Sequence, residues 1–91
     1  MNEKVLALLW KYDEHLASFG VSTVKVNDRA PGPQATLGHA RWMIQEMLAR
    51  GPGWSERKVN RWLGFVHGIL WCHGGIGIVG LRDDSRHLYD D

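Results

Sequence analysis

A single cysteine, Cys72, stands in 91 residues. No internal disulfide can therefore staple the chain, and this usage fits a reducing compartment. No apolar run approaches the roughly 20 residues that a membrane-crossing helix needs. No sign of charge dominates either: 11 Lys and Arg face 10 Asp and Glu, for a net charge of +1. Domains that coat nucleic acid through bulk charge are strongly basic, so nucleic acid is an unexpected partner. The sequence has no C-x-x-C, H-E-x-x-H, Walker loop or G-x-G-x-x-G. Its serines sit in no nucleophile-elbow context. The stretch around Lys4, Lys11, Asp13 and Glu14 does not resemble a signal peptide. The expectation is a cytoplasmic protein with no metal, no cofactor and no catalytic residues.

What is present suits one small domain spanning 1–91. The apolar fraction of 44% is that of an ordinary globular chain. Five Trp in this length exceed what a small core can hide. Trp is also favoured at interfaces, so an oligomer or a ligand surface is a natural use for the surplus.

Periodicity predicts three helices. The first runs from Glu3 to Phe19, capped by Asn2 and stopped by Gly20. Val5, Leu8, Leu9, Tyr12, Leu16 and Phe19 form its apolar face. Val21 to Val26 is rich in β-branched residues and reads as a short strand or an extended connector. As a strand it needs a partner, either Ile76 to Leu81 or the same segment of another subunit. Asn27 to Ala35 reads as a loop. Thr36 caps a second helix, Leu37 to Arg50, which Gly51-Pro52-Gly53 ends. Ser55 caps the third, which reaches His73 before Gly74-Gly75. Its apolar residues, from Val59 to Leu70, cover so much of the cylinder that it is expected to be central. Val79 to His87 is a candidate short helix weakened by Gly77 and Gly80, followed by a mobile tail over about 87–91. The fold class is mainly α: a compact bundle of three to four helices, with one short strand or hairpin-like extended segment as an option.

Asn60, Gly64, Gly68 and Cys72 recur at every fourth position of the third helix. Glycine inside a helix costs about 1 kcal/mol against alanine, so two in succession imply a gain from close approach. Packing of the first or second helix there is the commoner use. A self-association seam or a ligand surface are the other two readings. Arg41, Trp42, Arg57, Arg61 and His67 form a candidate ligand site, with Arg50, Lys58, Trp54 and Trp62 nearby. Arginine grips phosphate bidentately and Trp stacks on a base, which points to a nucleotide-like anion. The alternative is a solvated polar face with Arg stems lying on Trp rings. His39, His67, Cys72 and His73 have poor metal-ligand spacing. Asp83, Asp84 and His87 read as part of a charged tail.

The run from Lys58 to Trp71, KVNRWLGFVHGILW, resembles a segment of small, uncharacterised proteins of tailed bacteriophages and prophages. Gly75, Leu81-Arg82-Asp83 and the upstream His39-Ala40-Arg41-Trp42-Met43 fit the same pattern, so the resemblance covers about the C-terminal two-thirds of the chain. Gln is usual where this chain has His67. The resemblance implies an accessory protein in an infected host cell and carries over no activity. Together these features lead to the expectation of a non-enzymatic, homo-oligomeric binding protein that engages a host protein or sequesters a small anionic, nucleotide-like ligand. A structural or assembly component of a phage particle or replication complex, or a nucleic-acid-binding accessory protein, is the alternative.

Overall fold

The computed structural model describes residues 1–27, 29–86 and 88. The first helix, α1 (Glu3–Ser18), begins where the Asn2 side chain accepts the Val5 N–H at 2.8 Å. Of the stripe read from the sequence, Val5, Leu8, Leu9, Tyr12 and Leu16 are buried, whereas Phe19 falls at the cap beyond the last helical residue and is 69% exposed. The helix ends at Phe19, and Gly20 takes a φ of +71°, which favours glycine.

The second helix, α2 (Pro33–Arg50), starts four residues before the expected Leu37. Pro33 has the φ a first helical residue needs and no N–H to leave unpaired. Thr36 is inside the helix, and its hydroxyl donates back to the Gly32 carbonyl at 2.9 Å. One 3-10 turn, Gly51–Gly53, leads to α3 (Glu56–His73), whose cap is Ser55, accepting the Lys58 N–H at 3.2 Å. Val59, Leu63, Val66 and Leu70 carry the α3 core stripe, which packs chiefly on α2; α2, which also packs on α1, is the middle helix, and α3, expected to be central, leaves Phe65 and Trp71 exposed on its other side. The radius of gyration, 12.5 Å, is close to the ~12 Å of one compact chain of this length.

No strand occurs among the described residues. Ile76 to Leu81 cannot partner Val21 to Val26, because Ile78–Arg86 forms a fourth helix, α4. The 21–27 segment is instead an extended connector lying on α2, with the Val24 N–H donating to the Gly38 carbonyl at 3.1 Å. A Cβ on Gly38 would sit 2.7 Å from the Ser22 carbonyl oxygen. The close backbone approach expected at Gly64 and Gly68 thus occurs at Gly38.

α4 folds back beside α1 and α3 and buries Leu81. The chain is still packed at Leu88, within the stretch expected to be mobile. Leu88 is 5% exposed, and the Asn2 side-chain amide donates to its carbonyl at 2.9 Å. The rest of the expected tail (87 and 89–91) lies outside the described residues. No described helix is long and apolar enough to cross a membrane.

Candidate functional site

The fold distributes Arg41, Trp42, Arg57, Arg61 and His67 over four places. Arg41 is committed to structure. Its Nε donates to Asp13 at 3.0 Å and one terminal nitrogen donates to the Val21 carbonyl at 2.7 Å, which fixes the connector to α1 and α2.

Trp42 belongs to a row of half-buried indoles packed on the core. Trp42 and Trp62 have ring centroids 6.1 Å apart, and Trp54 and Trp62 4.7 Å apart. Lys58 lies over Trp54 at 4.1 Å and Trp62 at 5.9 Å, Lys25 over Trp42 at 5.1 Å, and His39 stacks on Trp42 at 5.4 Å. This is the second reading of that face, cationic stems on Trp rings, realised with lysine where arginine was expected. Its rings are already occupied by the chain's own cations. Arg57 and Arg61 are exposed on the opposite, outward side of α3. Arg61 and His67, six residues apart, point about 120° apart around the helix.

His67 marks the fourth place. Tyr12 is completely buried, yet its hydroxyl needs partners. It donates to Asp84 Oδ2 at 2.9 Å and lies 3.0 Å from His67 Nε2. The phenol has one proton and gives it to the carboxylate, so its oxygen must accept from His67, which places the imidazole proton on Nε2. Nδ1 is then a lone-pair acceptor, and the Ser85 hydroxyl lies 3.3 Å from it. Lys11 Nζ closes the chain on the other Asp84 oxygen at 3.3 Å. The result is a directed relay from Ser85 through His67 and Tyr12 to Asp84, tying α4 to α3 and α1.

Burial, then the hydrogen bond and charge of Asp84, push the Tyr12 phenol far above its ordinary value. Burial holds His67 below its ordinary value, although the Asp84 charge pulls the other way. Both groups are therefore neutral at pH 7, as the relay requires. Asp84 is not part of a charged tail but the end of this network. Only His87 of the expected acid–histidine cluster lies outside the described residues.

The relay forms one wall of an open groove of about 480 Å³ between α3 and α4. Volumes of this size suit small ligands. α3 contributes His67, Gly68 and Trp71; α4 contributes Ile78, Leu81, Arg82, Ser85 and Arg86. Gly68 is where the ridge expected from the sequence meets the groove. A Cβ there, or on Gly64, would touch nothing within 4 Å, so neither α1 nor α2 packs on them. The whole ridge, Asn60, Gly64, Gly68 and Cys72, faces outward. Among the described residues no group of three His, Cys, Asp or Glu side chains is placed to hold a metal ion.

Of the expected ligand residues only His67 reaches this groove, joined by Gly68 of the expected ridge. Tyr12, Trp71, Arg82, Asp84, Ser85 and Arg86 were not singled out for ligand binding. One signal was present for Tyr12: a hydroxyl on a core stripe must find a buried partner.

Among the described residues, fold and groove define a small four-helix unit with an open, basic-rimmed apolar cleft. No family model matches the chain, and no curated protein or solved structure matches it significantly.

Proposed function

We propose that this chain is a non-enzymatic accessory binding protein of the phage type, and that its α3/α4 groove takes a small anionic ligand with a flat apolar body, such as a nucleotide. The observation that carries this reading is the groove itself: Trp71, Ile78 and Leu81 beside Arg82 and Arg86, on a wall held by the relay. Trp71 is 56% exposed, enough for a base to stack on it. Arg82 and Arg86 are four residues apart on α4, so they share a face, and like charges at that spacing repel. A phosphate between them turns that repulsion into paired, charge-assisted bonds. Asp83 offsets it only weakly, 3.8 Å from Arg86 with both side chains more than half exposed. The Ser85 hydroxyl, whose proton is directed at His67 Nδ1, keeps its oxygen lone pairs to accept from a ligand and so supplies a polar contact that orients it in an apolar cleft.

The relay supports binding rather than catalysis. In a Ser-His-Asp site the carboxylate contacts the imidazole and stabilises its charged form. Here Asp84 contacts the phenol, and burial favours the neutral imidazole.

The test is thermal unfolding against nucleoside monophosphates, dinucleotides and cyclic dinucleotides, with aromatic carboxylates as simpler anions. Saturation at 100 times Kd stabilises the fold by about 2.7 kcal/mol. The R82E/R86E double variant should lose the response. A chain indifferent to every compound would end the ligand reading. Stable capture of a protein partner in that case would favour the assembly role.

A further inference from the structure

The groove between α3 and α4 has two unlike ends. Trp71 and Ile78 stand next to the turn at 74–77 that joins the helices, and they make one end apolar. His67 on α3 and Arg82, Ser85 and Arg86 on α4 stand one helical turn or more farther from it, and they make the other end polar. A ligand whose flat body rests on Trp71 and whose charge rests on the arginines therefore brings the atoms beside its charged group to Ser85.

At that end the direction of hydrogen bonding is set from inside the protein. Tyr12 gives its one proton to Asp84, so His67 carries its proton on Nε2 and has only a lone pair on Nδ1. Ser85 is exposed, and its hydroxyl lies 3.3 Å from Nδ1. The hydroxyl has one proton, and Nδ1 takes it. Towards the groove Ser85 then shows only acceptor lone pairs. A bare oxyanion also has only acceptors. It gains from Arg82 and Arg86 but meets a repelling oxygen at Ser85.

We infer that Ser85 is a specificity-determining residue of this groove: with His67 neutral, it selects an anion that carries a hydroxyl donor beside its charged group, such as the ribose of a nucleotide, over the same anion without one. The inference rests on the ligand reading above and deepens it. The ligand hydroxyl donates to Ser85 Oγ, while the charged oxygens accept from the two guanidinium groups.

The same geometry makes the selection reversible. A proton on Nδ1 turns His67 into a donor at both nitrogens. Nε2 keeps the Tyr12 oxygen, and Nδ1 now donates to Ser85. The Ser85 proton is released towards the groove, where it suits an anionic oxygen. The described groups that face His67 are Tyr12 from α1, with Lys11 behind Asp84, and Asp84, Ser85, Arg82 and Arg86 from α4. Burial opposes the added proton and the Asp84 charge favours it. A bound anion offsets the two arginines and favours it further. Acid therefore tightens binding of the bare anion and removes the preference for the hydroxyl.

Calorimetric titration of the whole chain with adenosine 5′-(methyl phosphate) and with its 2′,3′-dideoxy counterpart tests this. Each phosphodiester holds one charge that does not titrate near neutrality, so pH acts on the protein alone. At pH 8 the ribose form should bind about fivefold more tightly, the contribution of one neutral hydrogen bond. Ser85→Ala, at an exposed position, should abolish that preference and leave the dideoxy form bound at least as tightly as before. Between pH 8 and pH 5 the wild-type preference should shrink because the dideoxy form gains affinity, whereas Ser85→Ala should show no preference at any pH. Equal affinity of the two forms at pH 8, or a preference that survives Ser85→Ala, overturns the inference and leaves the ligand reading standing. A preference constant down to pH 5 overturns the control by His67. Binding of neither form to the wild-type chain overturns both this inference and the nucleotide reading it rests on.

Discussion

Tyr12→Phe isolates the relay with little change in packing, because the ring stays in its completely buried position. Two bonds are lost. The first is the phenol's donation to Asp84 at 2.9 Å; bonds to charged groups contribute about 1.5–3 kcal/mol. The Asp84 side chain is 20% exposed and keeps Lys11 at 3.3 Å, so water and lysine soften this loss towards its lower end. The second is the acceptor for His67 Nε2 at 3.0 Å, a neutral bond contributing about 1 kcal/mol. The expected cost is about 2 kcal/mol, or roughly 8–16 °C in Tm for a domain of this size. Urea unfolding followed by far-UV circular dichroism should show a lower midpoint with an unchanged slope, since the surface exposed on unfolding is the same. A cycle with Asp84→Asn should give a coupling of about 1 kcal/mol or more, because the two groups are in direct contact. A Tyr12→Phe cost below about 0.5 kcal/mol, or strict additivity with Asp84→Asn, would show that the relay does not hold α4 in place.

The same network sets the pH dependence. Folding holds His67 and His39 below their ordinary 6.5, by burial in both cases and by Lys25 as a further cause for His39. The unfolded chain therefore binds protons first as pH falls, so stability is full above 6.5 and declines below it. Tyr12 is shifted upward; its contribution is full below its ordinary 10.0 and declines as pH rises past that value. Urea midpoints across pH 4–11 should show both limbs, with Tyr12→Phe removing the alkaline one and His67→Gln flattening the acid one; a flat profile would contradict the burial of these groups. Glycine substitutions should divide by position: Gly64→Ala gains about 1 kcal/mol of helix propensity. Gly38→Ala, blocked 2.7 Å from the Ser22 carbonyl, should cost about 1–3 kcal/mol, and equal thermal shifts for the two would refute the distinction.

The sequence by itself determined the parts of this protein that are local. Capping residues and periodicity identified α1 and α3 almost to the residue, because Asn2, Ser55 and Gly74 act on backbone groups three or four positions away. The same periodicity identified most core residues of α1 and α3, since a helix turns an apolar spacing into one buried face, but Phe19, past the end of α1, is exposed. It identifies α2 less well, because Pro33 has the composition of a loop yet begins the helix, four residues ahead of Leu37.

Tertiary structure decided what those faces meet. Val21 to Val26 has strand-like residues, but the segment proposed to pair with it is consumed by α4, and a strand without a partner becomes a connector. Gly38 and Gly68 are both helical glycines with no distinguishing neighbours in sequence. One lies under a crossing backbone and the other under open space. Tyr12 and Asp84 are 72 residues apart, and only the return of α4 along α1 brings a buried hydroxyl to a carboxylate and fixes the imidazole of His67 between helices. Helical spacing says which side chains share a face. Long-range packing, which no local pattern encodes, says whether that face is filled by the chain itself or left open for something else.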